Sequence, residues 1–501
     1  MYYKSTRNNA LRYTASEAIL KGLSDDGGLF MPEKLPVLDK SLKELAEMDY
    51  RAVAYEVMKL YLTDYTEEEL KYCIDHAYDD KFDTEDKVVL HREGNACYLE
   101  LFHGPTIAFK DMALSILPYL MTTAAKKNEL KEEIVILTAT SGDTGKAALA
   151  GFADVPGTRI MVFYPKDGVS KIQEKQMVTQ KGGNVRVVGI RGNFDDAQNG
   201  VKAMFNDKEL RDELKNRGYV FSSANSINIG RLIPQIVYYV YAYTKLLKEA
   251  VIADGEEINI CVPTGNFGNI LAAYFAKQLG VPVGRLVCAS NRNRVLTDFF
   301  KSGTYDKLHE MDDKGEFTEK REFMLTSSPS MDILISSNLE RLIYLICGED
   351  DFKCAALMKS LVRDGSYEID ESMRAKLKDF SAGFADEEAC AAAIKKIYEE
   401  DSYVIDPHTA VAAAVYEKYV AESGDTRKCV IASTASPYKF PEAVLKALGA
   451  DAQGEELTDR LHEISKVNLP AAITELKNAA VLHDTVCDTD EMKEKVREFL
   501  N

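Results

Sequence analysis

The sequence predicts an α/β protein of two lobes with mainly parallel sheets flanked by helices, joined by an amino-terminal region and a helical insertion. Three observations predict it. From residue 101 onward, short β-rich runs alternate with stretches of helical periodicity. Glycine-bearing turns stand directly after several of those runs, where open α/β sheets gather ligands. The chain of 501 residues is also longer than one hydrophobic core organises.

Residues 1–100 mix short apolar segments with acidic helices: DDGGLFMPEKLP (25–36) is turn-rich, and SLKELAEMDYRAVAYEVMKLYL (41–62) has helical spacing. EEIVILTAT (132–140) is a β run meeting a glycine turn, and KAALAGFADV continues as a helix. RIMVFYP (159–165) and NVRVVGI (184–190) are further strands, with QEKQMVTQKG and DDAQNGVKAMFND as helices between and after. INICVPT (258–264), LVCAS (286–290) and KCVIASTAS (428–436) complete the strand set. The expected organisation is a mixed region over 1–100, a core over 101–450 and a helical tail over 451–501. Within the core, a smaller lobe covers about 118–222 and a charged, helix-rich insertion about 292–400.

Composition narrows the function. Hydrophobic residues make up 46% and charged residues 28%, a globular balance. A formal net charge of −18 disfavours a nucleic-acid partner, which needs clustered Lys and Arg. A small anionic ligand stays possible, because a local site can oppose the overall field. No run approaches the ~18 apolar residues of a membrane span; IVYYVYAYTKLL meets a lysine too soon. The amino end lacks the apolar core of a secretory signal. Nine cysteines without a CxxC pair read as small buried hydrophobes of a cytoplasmic protein. The seven histidines form no HExxH-type cluster, so no metal is expected.

HGPTIAFKDMAL (103–114) places Lys110 among Phe109, Met112, Ala113 and Leu114. Lysine is rarely buried unless paired, and an isolated buried ammonium loses its proton or costs stability. Either this side chain snorkels to the surface or its nitrogen is covalently engaged. Three polar turns bear on the choice. In TATSGDTGKAALAG (138–151) the glycine spacing is too short for a nucleotide phosphate loop, and no Ser or Thr follows Lys146. What remains is a hydroxyl cluster of Thr140, Ser141 and Thr144 at a helix start, fit to hold a carboxylate or to cap the helix. In PTGNFGNILAAY (263–274), Gly265 and Gly268 allow close backbone approach, while Asn266 and Asn269 add donors. Lacking GxGxxG, it suits a phosphate monoester better than a dinucleotide. In SSANSINIGRLIPQIVYY (222–239), Asn225, Ser226, Asn228 and Arg231 precede an apolar helix, either as a capped helix with a surface arginine or as a second phosphate cradle. A lysine in imine linkage to a phosphate-bearing aldehyde, pyridoxal phosphate, accounts for the apolar lysine and an anion cradle together.

HGPTIAFKDMAL, TATSGDTGKAA, SANSINIGRLIPQ, PTGNFGN, SPSMDILISSNLER (328–341), DPHTAV (406–411) and STASPYKF (433–440), with STRNN and GLSDDGGLFMPE near the start, resemble the threonine synthase family in kind and order. The length and the 292–400 segment resemble its long bacterial and fungal branch. The resemblance implies a pyridoxal-phosphate enzyme of the tryptophan-synthase-β type, with the cofactor between two α/β lobes. It implies that Lys110 is the Schiff-base lysine, and that Gly265, Asn266, Phe267 and Asn269 hold the cofactor phosphate. Thr434 matches the hydroxyl residue beside the pyridine nitrogen. Asn225, Ser226 and Arg231 match the substrate-phosphate group, and Ser141 and Thr144 lie in the turn facing substrate and cofactor. Ser436 and Tyr438 depart from the histidine and alanine usual in the family. The implied reaction converts O-phospho-L-homoserine and water to L-threonine and phosphate, by γ-elimination and β-addition of water. The alternatives are a serine or threonine dehydratase, an amino-acid phospholyase, and a non-catalytic homologue that binds a phosphate metabolite. Monomer and homodimer are both compatible with the sequence.

Overall fold

The computed structural model describes residues 1–140, 142–450 and 456–501. Two sheets dominate it. The larger runs, edge to edge, Phe380–Phe384, Val283–Ser290, Ile258–Pro263, Cys429–Ser433, Ala96–Glu100 and Val89–Glu93. All its pairings are parallel except that of the last two strands, a hairpin turning at Gly94-Asn95. The smaller runs Val486–Cys487, Val185–Ile190, Thr158–Pro165, Glu133–Ala139 and Tyr219–Ser222, parallel throughout. Ile258–Pro263 and Cys429–Ser433 are buried at every residue. Burial on both faces explains why these strands read as unbroken apolar runs rather than alternating ones. This is the α/β class that the alternation of strands and helices predicts.

Several elements are assembled from parts distant in sequence. The larger sheet begins at Val89, ahead of the alternation read from residue 101. Its far edge, Phe380–Phe384, comes from the stretch read as helix-rich; FSAGF carries little β-propensity of its own and takes its register from Val283–Ser290. That stretch also holds the pairs Thr304–Asp306 with Ser366–Glu368 and His309–Met311 with Phe317–Lys320. The tail carries helices Leu457–Ser465, Ala471–Lys477 and Met492–Phe499. Its strand Val486–Cys487 extends the smaller sheet.

Helix Ile229–Lys248 is the central buried element, about 30 Å long at 1.5 Å per residue. It is apolar nearly all round, as a helix packed on every side must be. Helices Tyr50–Tyr61, Asp111–Leu114 and Gly268–Gln278 pack on it. The amino end is tied to the core by the NLER segment. Glu340 accepts from Thr6 Oγ1 at 2.6 Å and from Arg7 at 2.8 and 2.6 Å. The fully buried Arg341 donates to the carbonyls of Phe30 at 3.0 Å and Ile227 at 2.6 Å.

Candidate active site

Lys110 stands immediately before the short helix Asp111–Leu114 and is only 9% exposed. It does not snorkel. Its Nζ donates to Ser330 Oγ at 3.0 Å and lies 3.5 Å from Asp143 Oδ2. Burial lowers its pKa below the usual lysine range, and the nearby Lys439 and Arg231 add to that, against the pull of Asp143. Asp143 opens helix Asp143–Phe152 and is buried as well. Its Oδ1 accepts from Gln173 Nε2 at 3.0 Å and pairs with Lys439 Nζ at 3.2 Å. Its Oδ2 accepts from Ser330 Oγ at 3.0 Å. Burial alone would raise this carboxyl; Lys439 and Lys110 overcome that and hold it far below the usual carboxylate range.

Three loops hold these groups in register. Phe109 N–H donates to the Thr434 carbonyl at 2.8 Å, and Ser436 N–H to the Ile107 carbonyl at 3.1 Å. The lysine loop and the loop after strand Cys429–Ser433 are thereby paired around Ala108 and Ala435. Thr106 binds Asp111 through its backbone N–H at 2.8 Å and its hydroxyl at 2.5 Å, while its carbonyl accepts from Lys439 Nζ at 2.8 Å. Ser330 sits in the SPSM turn. Its N–H donates to His408 Nε2 at 3.3 Å, which leaves the imidazole proton on Nδ1, facing Asp406 Oδ2 at 2.7 Å.

The glycine loop adjoins the same turn. A Cβ on Gly265 would come within 2.8 Å of the Ser330 carbonyl, so only glycine allows this approach. Phe267 takes a left-handed φ of 64° and starts helix Gly268–Gln278 with no side-chain cap. Its ring turns inward onto Phe300 and Phe380, at 5.9 and 6.1 Å between centroids. Asn269 is buried; its Oδ1 accepts from Tyr238 and Tyr239, and its Nδ2 has no partner in the protein. Uncapped helix N–H groups, a close glycine and a buried bare donor fit a phosphate. Asn266 is exposed, with its amide oxygen accepting from Ser337 at 3.3 Å.

The third turn divides. Arg231 is 3% exposed, one of its terminal nitrogens donates to the Ala224 carbonyl at 3.0 Å, and its Nε has no partner in the protein. Burial lowers its pKa to about 10. Asn228 caps the helix through Gly230 N–H at 2.9 Å and binds the Ile19 and Ser223 carbonyls. Asn225 is exposed and Ser226 half-buried. In the hydroxyl cluster, Thr140 Oγ1 accepts from the N–H groups of Gly142 and Gly145, both at 3.0 Å, so it acts as a cap. Thr144 is half-buried in the first helical turn, and Ser141 lies outside the described residues. Thr434 is buried beside the lysine loop.

Asp143, Ser330, His408, Asp406 and Lys439 were not singled out from sequence, although each lies inside a noted motif. Apart from Asp406 and His408, which stand two residues apart, they meet only across loops, so no local pattern marks them as one group. The departure at STASPYKF also has a structural account. Ser436 caps the turn after Thr434 through Tyr438 N–H at 3.3 Å, and the fully buried Tyr438 donates to the Val467 carbonyl. Among the described residues, no group of three His, Cys, Asp or Glu side chains is placed to hold a metal.

Comparison with known proteins agrees over nearly the whole chain. The family described as "Threonine synthase N terminus" matches residues 2–78, "Pyridoxal-phosphate dependent enzyme" residues 91–434, and "Threonine synthase, C-terminal" residues 409–486. Threonine synthase-like 1 of Homo sapiens is 37% identical over 96% of this chain, which spans only 63% of that relative's length. Threonine synthase of Schizosaccharomyces pombe is 36% identical over 89% of both chains. The crystal structure of PLP-bound threonine synthase from Brucella melitensis superposes with a TM-score of 0.87, at 34% identity over 100% of both chains.

Proposed function

We infer the function from one premise: this chain belongs to the pyridoxal-phosphate-dependent threonine synthase family. It converts O-phospho-L-homoserine and water to L-threonine and phosphate. The observation that carries this reading is that Arg231 Nε and Asn269 Nδ2, each in one of the anion-cradle motifs, are among the buried N–H donors without a protein partner. They lie in two separate cradles, one for the phosphate of the cofactor and one for that of the substrate. With Lys110 and Lys439 they oppose a chain whose net charge is −18, which suits two dianions.

Pyridoxal phosphate, when bound, supplies an electron sink for negative charge developing on the substrate's carbons. The residues supply the rest. Lys110 would hold the cofactor through Nζ, and as a free amine it would take the proton from Cα and later return it. Burial favours that free amine over the ammonium. Asp143, kept ionised by Lys439, holds the Ser330 hydroxyl proton, so the Ser330 oxygen faces Lys110 as an acceptor. Arg231 draws the γ-phosphate into line for C–O cleavage, and such positioning supplies several kcal/mol of a barrier. One proton must also leave Cβ as the C–O bond to phosphate breaks; Cγ then gains a proton and water adds at Cβ, so that phosphate is the leaving group. Thr434 would supply the hydroxyl partner of the cofactor's ring nitrogen, and we assign substrate binding to Ser141 and Thr144. Asn225 and Ser226 close the substrate-phosphate cradle from the outside, and Gly265, Asn266 and Phe267 shape that of the cofactor.

Catalysis is assigned to 101–450, with the smaller lobe at about 118–222. Among the described residues no helix is long and apolar enough to cross a membrane, and we assign the chain to the cytoplasm. End-product analysis tests the activity: O-phospho-L-homoserine should yield threonine and phosphate in equal amounts. Phosphate accompanied by 2-oxobutanoate and ammonia would make the protein a phospholyase instead.

A further inference from the structure

Helix Ile229–Lys248 carries one polar line on its apolar surface: Arg231, Gln235 and the pair Tyr238 and Tyr239. Positions i, i+4, i+7 and i+8 share a helix face. Gln235 Nε2 donates to the Arg231 carbonyl at 2.7 Å, which turns Gln235 Oε1 toward the Tyr238 hydroxyl, 3.2 Å away. The Tyr238 hydroxyl also stands 2.8 Å from Asn269 Oδ1, and the Tyr239 hydroxyl donates to the same oxygen. Both tyrosines are buried, and burial keeps both phenols protonated well above their usual range. The single Tyr238 proton has Asn269 Oδ1 as its nearer acceptor, so one amide oxygen faces two phenol donors, while the amide nitrogen of the same side chain is buried without a partner.

A primary amide can turn about its last bond and present oxygen in place of nitrogen. Toward a phosphate, that turn exchanges an attractive donor for a repulsive acceptor. We infer that Tyr238 and Tyr239 are positioning residues that lock the Asn269 amide with Nδ2 toward the cofactor's phosphate. The inference rests on the cofactor assignment above and deepens it. Helix Ile229–Lys248 then serves both cradles: Arg231 and Asn269's two supporting tyrosines stand about 11 Å apart along its axis, at 1.5 Å per residue.

Affinities for pyridoxal phosphate and for pyridoxal, which lacks the phosphate, provide the test, with melting curves to verify folding. Tyr239→Phe and Tyr238→Phe each remove one oxygen and keep the ring. Tyr239→Phe should weaken pyridoxal phosphate roughly tenfold, the scale of a hydrogen bond to a charged group, and leave pyridoxal unchanged. On an Asn269→Ala background the same change should cost nothing further, since the lock then has nothing to hold. Equal losses for both aldehydes would reduce the tyrosines to packing and overturn the inference, as would undiminished affinity in the Tyr238→Phe/Tyr239→Phe double variant. If the unaltered protein bound neither aldehyde, the cofactor assignment itself would fall, and the inference with it.

Discussion

Lys439 Nζ stands 3.2 Å from Asp143 Oδ1, and the lysine side chain has no exposed surface. The two residues come from motifs almost 300 positions apart, and their pairing decides the charge beside Lys110. Asp143 stays anionic because Lys439 opposes the effect of burial. Lys110 in turn feels Asp143 as an attraction and Lys439 as a repulsion. The central lysine is thus tuned by a pair, not by one neighbour.

Lys439→Met tests that tuning. Losing the second ammonium removes a repulsion from Lys110 and leaves Asp143 to it alone, so the Lys110 pKa should rise. Acylation of Lys110 in the cofactor-free protein, followed by mass spectrometry as a function of pH, should show a midpoint moved upward. Lys439→Arg should keep the original midpoint. A midpoint that stays in place in Lys439→Met would mean that Lys110 does not sense this pair.

The proposed role of Arg231 in substrate binding can be tested apart from cofactor binding. Its guanidinium is buried against the Ala224 carbonyl, while Asn269 lies at the glycine loop. Arg231→Ala should raise the KM for O-phospho-L-homoserine by roughly a hundredfold, the scale of a lost charged contact of about 2–3 kcal/mol. Cofactor affinity, read from its absorbance, should change little. Loss of the cofactor instead would exchange the roles of the two cradles.

His103 carries a pH dependence of stability. It lies between Asp83 at 2.7 Å and Glu100 at 2.9 Å. Burial pulls its pKa down, but the two carboxylates more than compensate and raise it to about 9. The unfolded value is about 6.5, so the folded state binds the proton more tightly. The stabilisation is complete below pH ~6.5 and is lost as pH rises toward 9. Melting temperatures should therefore decline over that window by more in the unaltered protein than in His103→Gln. Parallel declines would show that the histidine contributes nothing to the pH response.

Much of the site was legible because several of its parts are local. A lysine inside an apolar run is an anomaly that can be read in twelve residues, and a glycine turn after a strand is visible in six. Lys110, Asn269 and Arg231 were found that way, and all three are buried. Asn225 and Asn266, from the same motifs, are exposed. A segment's composition does not say which of its side chains turns inward. Thr140 makes the same point: the hydroxyl cluster was visible, but Thr140 itself is used to cap the helix.

By itself the sequence determined the strand and helix alternation, the lysine that had to be paired or engaged, and the order of motifs that marks the family. These rest on neighbours within one or two turns of chain. Only the tertiary structure decided that Ser330, itself held by His408, reaches Lys110, that Lys439 holds Asp143 ionised, and that two tyrosines of one helix grip an asparagine of the next. Each of those contacts joins loops or helices remote along the chain. It exists only when packing has excluded the water that would otherwise satisfy, and separate, the same polar groups.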